Sequence, residues 1–163
     1  MTDAYDYIIK NRGITSQSNY PYTAREGQCN VAKASQRVAT IDSYELVPRN
    51  NENALKKAVA HQPVSVTVEA FGTAQKLYLS GIFTGPCGLD LNHAVVAVGY
   101  GTENGMDYWL VRNSWGSNWG ERGYMKLQRN VAEPEGKCGI AMDATYPVKN
   151  SKTSKNAEMV AFA

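Results

Sequence analysis

The apolar residues in the first part of the chain recur with the spacing of amphipathic helices in two segments. Within residues 2–11 they form a single stripe behind Thr2, a residue type that caps helix N-termini. A second stripe, in residues 54–59, follows Asn51 and Asn53, either of which suits the capping position. The pattern predicts a helix in each segment and leaves the cap of the second open between the two asparagines.

Beyond residue 63 the apolar period changes to two. Val64, Val66 and Val68 alternate with polar residues, which is typical of a strand with one buried face. Farther along, two apolar segments flank Asn104-Gly105, the strongest short turn signal for a β-hairpin. Because helices come first and strands dominate afterwards, the order indicates an α+β fold with segregated layers. Further strands are predicted at residues 37–47, 93–101, 107–113, 122–129 and 144–148, and a short helix at 73–79.

Composition and charge narrow the class of protein without indicating a function. The chain has 163 residues, of which 43% are hydrophobic and 20% are charged, and these values fit one globular domain. Its formal net charge of +2 is too small to favour nucleic acid or an anionic membrane surface as a partner. The sequence holds no run of about 18 apolar residues, so we expect no membrane-spanning helix.

The cysteine pattern allows two interpretations. Cys29, Cys87 and Cys138 form an odd set, so one of them has no partner within the chain. Their long spacings contain no C-x-x-C, and only 2 histidines accompany them, which disfavours a structural zinc site. Paired cysteines would indicate an oxidising compartment, whereas buried free thiols would fit the cytosol. The spacings by themselves leave both interpretations open.

The predicted hairpin brings a histidine and an asparagine to the same end of a sheet. Its turn opposes residues whose numbers sum to roughly 206–209, and those of His93 and Asn113 sum to 206. An asparagine amide beside a histidine can fix the imidazole orientation that a general base needs. By themselves, two such residues favour a structural hydrogen bond within the sheet over a functional site. Trp115 and Trp119 in the following loop can shield the pair from water, and this favours a functional site.

Recognisable motifs surround this pair on both sides. The longest are LNHAV at 91–95, YWLVRNSWG at 108–116 and WGERGY at 119–124, with shorter matches GIF at 81–83, GPC at 85–87, GYG at 99–101 and YPV at 146–148. Together they closely resemble the papain family of cysteine proteases, and in particular its plant vacuolar and latex enzymes. The resemblance covers roughly residues 1–149, nearly the whole chain.

This resemblance implies an α+β papain-like fold that is incomplete. The family combines a helical left domain with a β-barrel-like right domain, and the active site lies between them. The implied organisation is a left-domain remnant at 1–47, a nearly whole right domain at 48–149 and a disordered C-terminal tail at 150–163. A left domain reduced to its later part would expose apolar surface, so we expect aggregation or dependence on a partner fragment.

The resemblance also assigns roles to individual residues. It implies that His93 is the general base paired with a nucleophilic cysteine and that Asn113 orients its imidazole. A pocket reads the second residue before the cut and prefers a bulky hydrophobic side chain, although Asp143 at its floor could accept a basic one. The implied substrate-binding residues are Met1, Thr67, Leu91, Asn92, Ala94, Trp115, Trp119 and Asp143.

The nucleophilic cysteine of the family is not found among these residues. The family carries it in C-G-[SA]-C-[WY], about 130–150 residues before the histidine, a position that falls before residue 1 here. The resemblance further implies a disulfide between Cys87 and Cys138, and for Cys29 a partner outside the chain. We therefore expect a cysteine-type endopeptidase by family whose chain is inactive alone. The alternative is a non-catalytic pseudo-protease with a binding or storage role.

Cofactors, partners and location are implied in the same way. The family uses no metal or organic cofactor. Its members act on peptide and protein substrates and are inhibited by propeptides and by cystatin-type inhibitors. The resemblance implies no nucleic-acid or membrane partner, and a location that is secreted, lysosomal or vacuolar.

Overall fold

The computed structural model describes residues 1–70 and 72–150, and the tail predicted at 150–163 lies outside them except for Asn150. The described helices are α1 (Thr2–Lys10), α2 (Val31–Ala34), α3 (Glu52–Val59) and α4 (Thr73–Lys76). The strands are β1 (Ser43–Leu46), β2 (Val64–Val68), β3 (Ile82–Phe83), β4 (His93–Glu103), β5 (Met106–Arg112), β6 (Tyr124–Gln128) and β7 (Ala144–Val148). A 3-10 turn at Lys137–Gly139 precedes β7. The predicted α+β class is confirmed.

The helix boundaries answer one question that the sequence left open and correct one prediction. Asn51 caps α3, because its Oδ1 accepts the backbone N–H of Ala54 at 2.9 Å, so Asn53 is not the cap. The helix predicted at 73–79 ends at Lys76, since Leu77 leaves helical geometry with φ −95° and ψ 6°. The strands predicted at 37–47 and 122–129 are likewise shorter, at Ser43–Leu46 and Tyr124–Gln128.

The strands form one seven-stranded sheet in the order β1-β7-β2-β4-β5-β6-β3. β2 pairs antiparallel with both β4 and β7, while β3 adds parallel to β6. Val64, Val66 and Val68 of β2 are buried and the residues between them are half-buried, as the alternation predicts. The sheet thus holds β2, β4 and β5 side by side, and these strands carry most of the predicted site.

β4 and β5 form the predicted hairpin, with Asn104 and Gly105 at its tip. Both have positive φ, 51° and 78°, which a two-residue turn requires and these residue types tolerate. Next to the tip the opposed residue numbers sum to 209, but a β-bulge at Val98 lowers the sum to 208 toward the other end. Arg112, the last residue of β5, therefore lies opposite Val96.

The hydrophobic core gathers around the fully buried Trp109 of β5. Its indole Nε1 donates to Glu52 Oε1 at 2.7 Å, and Glu52 Oε2 accepts the backbone N–H of Asn130 at 2.8 Å. Burial raises the pKa of the Glu52 carboxyl, because desolvation penalises its charged form more than these hydrogen bonds favour it. The first turn of α3 is thereby bonded to the centre of the sheet. The other fully buried side chains are Leu55, Val64, Val66, Ile140 and Thr145.

The chain divides into two compact units. The first consists of Met1 and residues 45–146 and contains the hydrophobic core cluster. The second consists, among the described residues, of residues 2–44 and 147–150. Within the second unit α1 buries no side chain, and Tyr22 is 83% exposed. The domain limits at 47 and 149 stay a prediction. Over the described ranges, no helix is long and apolar enough to span a membrane.

Candidate active site

The bulged hairpin places His93 and Asn113 within hydrogen-bond distance. His93 is the first residue of β4, and Asn113 follows the last residue of β5. Continuing the register beyond Val96 and Arg112 sets Asn113 opposite Val95, which shares a sheet face with His93. His93 Nε2 and Asn113 Oδ1 are 2.8 Å apart. The predicted proximity of the two side chains is therefore present in the structure.

The hydrogen bonds of Asn113 determine the tautomer of the neutral His93 imidazole. Asn113 Oδ1 also accepts the backbone N–H of Ser114 at 2.7 Å, so the amide oxygen and not the nitrogen faces the imidazole. Since an amide oxygen only accepts, His93 Nε2 must carry the hydrogen of this bond. The neutral ring then keeps its lone pair at Nδ1. This arrangement suits a base that takes up a proton at Nδ1.

Two tryptophans cover the pair. The Trp115 ring stacks on the His93 imidazole with centroids 5.1 Å apart and planes at 27°. The Trp119 ring meets Trp115 edge-on at 5.0 Å and 83°, and its indole Nε1 donates to the backbone carbonyl of Gln75 at 3.1 Å. The Tyr78 ring packs against the Trp119 ring with centroids 5.5 Å apart. The three rings pack in a row from His93 to Tyr78, and the His93–Asn113 hydrogen bond at one end of this row is partly buried.

The loop between β5 and β6 holds these tryptophans in place through its own backbone. Asn113 N–H donates to Gly123 O at 2.9 Å, and Gly123 N–H donates to Trp119 O at 2.7 Å. Gly120 has φ 56°, and a Cβ there would come within 2.6 Å of Tyr124 O, so only glycine fits.

Glu121 and Tyr78 tie this loop to the segment after α4. Glu121 Oε1 accepts the N–H of Gly81 at 2.8 Å. The Tyr78 hydroxyl donates to Gly81 O at 2.6 Å and accepts the N–H of Lys126 at 3.2 Å. Burial raises the pKa of Tyr78, so its hydroxyl remains a donor well above neutral pH.

Three of the predicted substrate-binding residues meet across β2, β4 and the start of β7. Thr67 pairs with Ala94 in the register of β2 and β4. Its hydroxyl donates to Asp143 Oδ2 at 2.7 Å, and its backbone N–H donates to Asp143 O at 3.0 Å. Asn92 N–H donates to Val68 O at 3.2 Å, which fixes the chain just before His93. Together these contacts place the partly buried Asp143 carboxylate against Thr67 of β2, which pairs with Ala94 near the start of β4.

The remaining predicted residues are placed as follows. Leu91 is half-buried against Gly139, where an added Cβ would meet its Cδ2 at 2.7 Å. Met1 is half-buried directly before α1. Cys87 and Cys138 form a disulfide across 51 positions, and Cys29 is an exposed free thiol. Within residues 1–70 and 72–150, no group of three or more His, Cys, Asp and Glu side chains lies close enough to bind a metal ion.

Sequence analysis missed Gln75. Its side chain is 4% exposed, and Nε2 donates to Glu69 O at 2.6 Å and to Cys138 Sγ at 3.3 Å. Together with its carbonyl bond to Trp119, this residue connects α4, the disulfide and the tryptophan cover. No sequence signal identified it, because glutamine in a short helix is ordinarily a surface residue.

Comparisons with known proteins agree with this geometry. The family model for papain family cysteine proteases matches residues 1–148. The chain is 58% identical to probable cysteine protease RD21B of Arabidopsis thaliana over 156 residues, covering 96% of this chain and 34% of that protein. It is 57% identical to the oryzain beta chain of Oryza sativa subsp. japonica over 150 residues, covering 92% of this chain and 32% of that one. The chain thus spans about a third of the length of these curated relatives.

Solved structures show the same relationship. Bromelain from Ananas comosus, in complex with the E64 inhibitor, superposes with a TM-score of 0.86 at 46% identity, covering 91% of this chain and 69% of that chain. The proform of the ragweed pollen allergen Amb a 11 gives a TM-score of 0.87 at 44% identity, covering 94% of this chain and 47% of that one. The chain has the papain-like fold over its matched part and belongs to the papain family of cysteine proteases.

Proposed function

We propose that this chain supplies the histidine–asparagine half of a cysteine endopeptidase active site. The observation that carries the proposal is the 2.8 Å bond between His93 Nε2 and Asn113 Oδ1 beneath the Trp115 ring. In a protein of the papain family, this is the arrangement that a thiol nucleophile needs from its base. His93 and Asn113 are accordingly the proposed catalytic residues.

The proposed reaction is amide hydrolysis through a thioester. His93 Nδ1 takes the proton of a cysteine thiol, and the thiolate sulfur bonds to the peptide carbonyl carbon. The imidazolium then returns this proton to the leaving amine as the C–N bond breaks. Water next attacks the thioester with His93 again as base, and this releases the acid and regenerates the thiol. Asn113 keeps the imidazole in the tautomer that both proton transfers require.

The nucleophile of this reaction is proposed to come from a polypeptide segment outside the 163 residues. Cys87 and Cys138 are joined to each other, so neither sulfur is a thiol. Cys29 is an exposed thiol whose neighbours do not form the family's nucleophile motif. We accordingly propose that the isolated chain has no proteolytic turnover.

A fusion protein tests the proposed function. The part of bromelain that precedes the matched region would be joined to this chain, and hydrolysis of a fluorogenic peptide measured. We expect the fusion to be active, its His93→Ala variant to fall to background, and a His61→Ala control to keep its rate.

An active His93→Ala fusion would contradict the role of His93. A folded but inert fusion would favour the non-catalytic binding or storage role instead. Hydrolysis by the purified isolated chain, lost on His93→Ala, would show that the chain suffices.

The proposed specificity is for a bulky hydrophobic residue two before the cut. Met1, Thr67, Leu91 and Ala94 would line that pocket, with Asp143 at its floor. The backbone of Asn92 would bind the substrate chain, and Trp115 and Trp119 would border the leaving-group side. Asp143 uses one carboxylate oxygen on Thr67, and its second oxygen could receive a basic side chain. Hydrolysis of a panel of peptides by the fusion tests whether Asp143 accepts a basic residue. Any higher rate for arginine than for leucine two residues before the cut should disappear in the Asp143→Ala fusion.

The proposed location is the secretory pathway, with a secreted or vacuolar destination. The Cys87–Cys138 disulfide supports an oxidising compartment. One relative, 53% identical over 154 residues, is a KDEL-tailed cysteine endopeptidase of Arabidopsis thaliana. Proposed partners are peptide substrates, a propeptide and cystatin-type inhibitors, since solved relatives include proforms and complexes with the E64 inhibitor. Fractionation of tissue with an antibody against this chain checks the location.

A further inference from the structure

The tip of the β4–β5 hairpin leaves a side-chain amide and the next backbone nitrogen unoccupied. Asn104 and Gly105 are both exposed. The Asn104 side chain makes no hydrogen bond to any residue in the described ranges, so it can rotate about its own bonds. The Gly105 N–H has no acceptor among those residues either. An added Cβ at Gly105 would meet nothing within 4 Å, so this nitrogen is open to the neighbouring side chain and to water.

Most of the other asparagines in the described ranges have hydrogen-bonded side chains. These are Asn11, Asn30, Asn51, Asn92, Asn113 and Asn130. In a second group the side chain is unbonded but the following backbone N–H is a committed donor, namely after Asn19, Asn53 and Asn118. A nitrogen whose N–H is hydrogen-bonded gives up its proton less readily, since that bond must break first.

Asn50 comes nearest to the situation at Asn104. Its side chain and the following N–H are both unbonded among the described residues, but the next residue, Asn51, carries a Cβ that crowds the nitrogen. Gly105 has no Cβ. Of the asparagines whose following residue is also described, Asn104 alone combines a free side chain with a free and uncrowded nitrogen.

This combination suits attack of the Gly105 nitrogen on the Asn104 carboxamide. The nitrogen loses its proton to water and bonds to Cγ, which closes a five-membered succinimide ring. The Cγ–Nδ2 bond breaks, and Nδ2 takes up a proton and leaves as ammonia. Water then opens the ring at one of its two carbonyl carbons. Opening at Cγ gives aspartate, whereas opening at the Asn104 backbone carbonyl carbon gives isoaspartate, in which the main chain runs through Cγ.

We propose that Asn104 is a site of spontaneous modification to isoaspartate and aspartate, with water as the only co-reactant. The site is independent of the proposed function, because no residue of the candidate active site takes part. Isoaspartate adds one carbon atom to the main chain between Glu103 and Met106, which pair across the two-residue turn. The lengthened tip cannot keep that turn, so this pair opens, while the fully buried Trp109 holds the rest of the hairpin.

Peptide mapping by mass spectrometry on the folded full chain tests the site. After incubation at mildly alkaline pH, the peptide containing Asn104 should gain the mass expected for exchange of NH2 for OH. Chromatography should resolve its isoaspartate and aspartate forms. Asn118 is the internal control, since the Trp119 N–H after it donates to Gly116 O at 3.3 Å. Conversion at Asn104 should be faster by at least about fivefold, the factor that corresponds to one net hydrogen bond.

Two controls keep the test decisive. Asn104→Gly retains a residue pair that suits the turn and should abolish the mass gain. The same incubation in urea gives the rate for the unfolded chain. Conversion in urea but not in the folded chain would show that the turn protects Asn104 and would overturn the proposal. Equal conversion at Asn118, or a mass gain that persists in Asn104→Gly, would overturn it as well.

Hydrogen exchange tests the opening of the turn separately. In the purified isoaspartate form, amide exchange should speed up about fivefold at Met106, as expected from the loss of about one net hydrogen bond, and stay unchanged at Trp109. Unchanged exchange at Met106 would contradict the opening of the turn.

Discussion

The single amide of Asn113 controls which nitrogen of His93 can accept a proton. Its oxygen receives one hydrogen from Ser114 and one from the imidazole, so the neutral ring carries its hydrogen on Nε2. Neither His93 nor Asn113 by itself determines which ring nitrogen carries the hydrogen. The orientation is a consequence of two backbone positions, the start of β4 and the residue after β5, and of the short bond from Ser114 that fixes the amide.

We expect Asn113→Ala to let the neutral His93 ring populate both tautomers. The alanine removes the acceptor that holds the hydrogen on Nε2, and no other described residue replaces it. The 15N chemical shifts of the His93 ring nitrogens, recorded where the imidazole is neutral, measure the tautomer ratio. Asn118→Ala in the same loop should leave the ratio unchanged. Identical spectra for Asn113→Ala and the unaltered chain would show that Asn113 does not set the tautomer.

Glu52 should make stability depend on pH with a predictable sign. Burial raises its pKa above the ordinary 4.5, so its contribution to stability is present at low pH and declines as the pH rises through the folded-state pKa. Urea unfolding at several pH values should show the unaltered chain losing stability relative to Glu52→Gln as pH rises from 4.5. The unaltered chain should instead gain stability relative to Asp107→Asn as the pH rises. The reason is that hydrogen bonds from Thr102 and Asn130 lower the pKa of Asp107 below 3.8. Its contribution is lost as pH falls through that lowered value. A Glu52→Gln curve parallel to that of the unaltered chain would contradict the assignment.

At the scale of elements, local patterns predicted most of the strands and left their order undetermined. The alternation of Val64, Val66 and Val68 and the Asn104-Gly105 turn indicated β2 and the hairpin, because burial and turn chemistry act over a few residues. The sheet order, in which β7 lies between β1 and β2, depends on long-range packing that no local pattern carries. The burial of Gln75 is of the same kind, since its partners Glu69 and Cys138 are set by the tertiary fold.

The cap of α3 gives a matched test at this scale. Asn51 Oδ1 accepts the Ala54 N–H, so Asn51→Ala should lower the free energy of unfolding by about 1 kcal/mol. Asn53, which suited the cap equally well by sequence, lies inside the helix and is exposed. Asn53→Ala should therefore be neutral or slightly stabilising, since alanine has the higher helix propensity. Equal effects of the two changes in chemical denaturation would contradict the assigned cap.

On the scale of the whole molecule, the two compact units differ in how much apolar surface they bury. The hydrophobic core cluster lies entirely within residues 45–146. In residues 2–44, by contrast, Tyr22, Val31 and Val38 are 83%, 75% and 63% exposed. Helices as short as α1 are marginal in water without tertiary packing. Aggregation of the isolated chain, or its dependence on a partner fragment, stays a prediction that these exposed side chains support.

The Cys87–Cys138 bond should contribute substantially to the stability of the first unit. It closes a span of 51 positions, and the loop-entropy estimate for that span is about 4 kcal/mol. We expect the double variant Cys87→Ala/Cys138→Ala to lose stability of this order in urea unfolding. Cys29→Ala, which removes the exposed thiol, is the matched control and should change little. A double variant as stable as the unaltered chain would rule out this contribution.

The bulge at Val98 has a consequence for how this hairpin can vary in length. Val98 is the unpaired residue that shifts the register between Ala97 and Gly99. If the strands paired regularly from the tip, Asn113 would stand opposite Val96 and project from the face away from His93. Deletion of Val98 would restore regular pairing along the hairpin and leave Ala97 opposite Val111 and Val96 opposite Arg112. Losing any one paired residue of β5 would reverse the face of Asn113. Single-residue deletions are therefore tolerable at the bulge and damaging along β5. The constraint on sequence change falls on the number of paired residues in β5 and not on the total number of residues between His93 and Asn113.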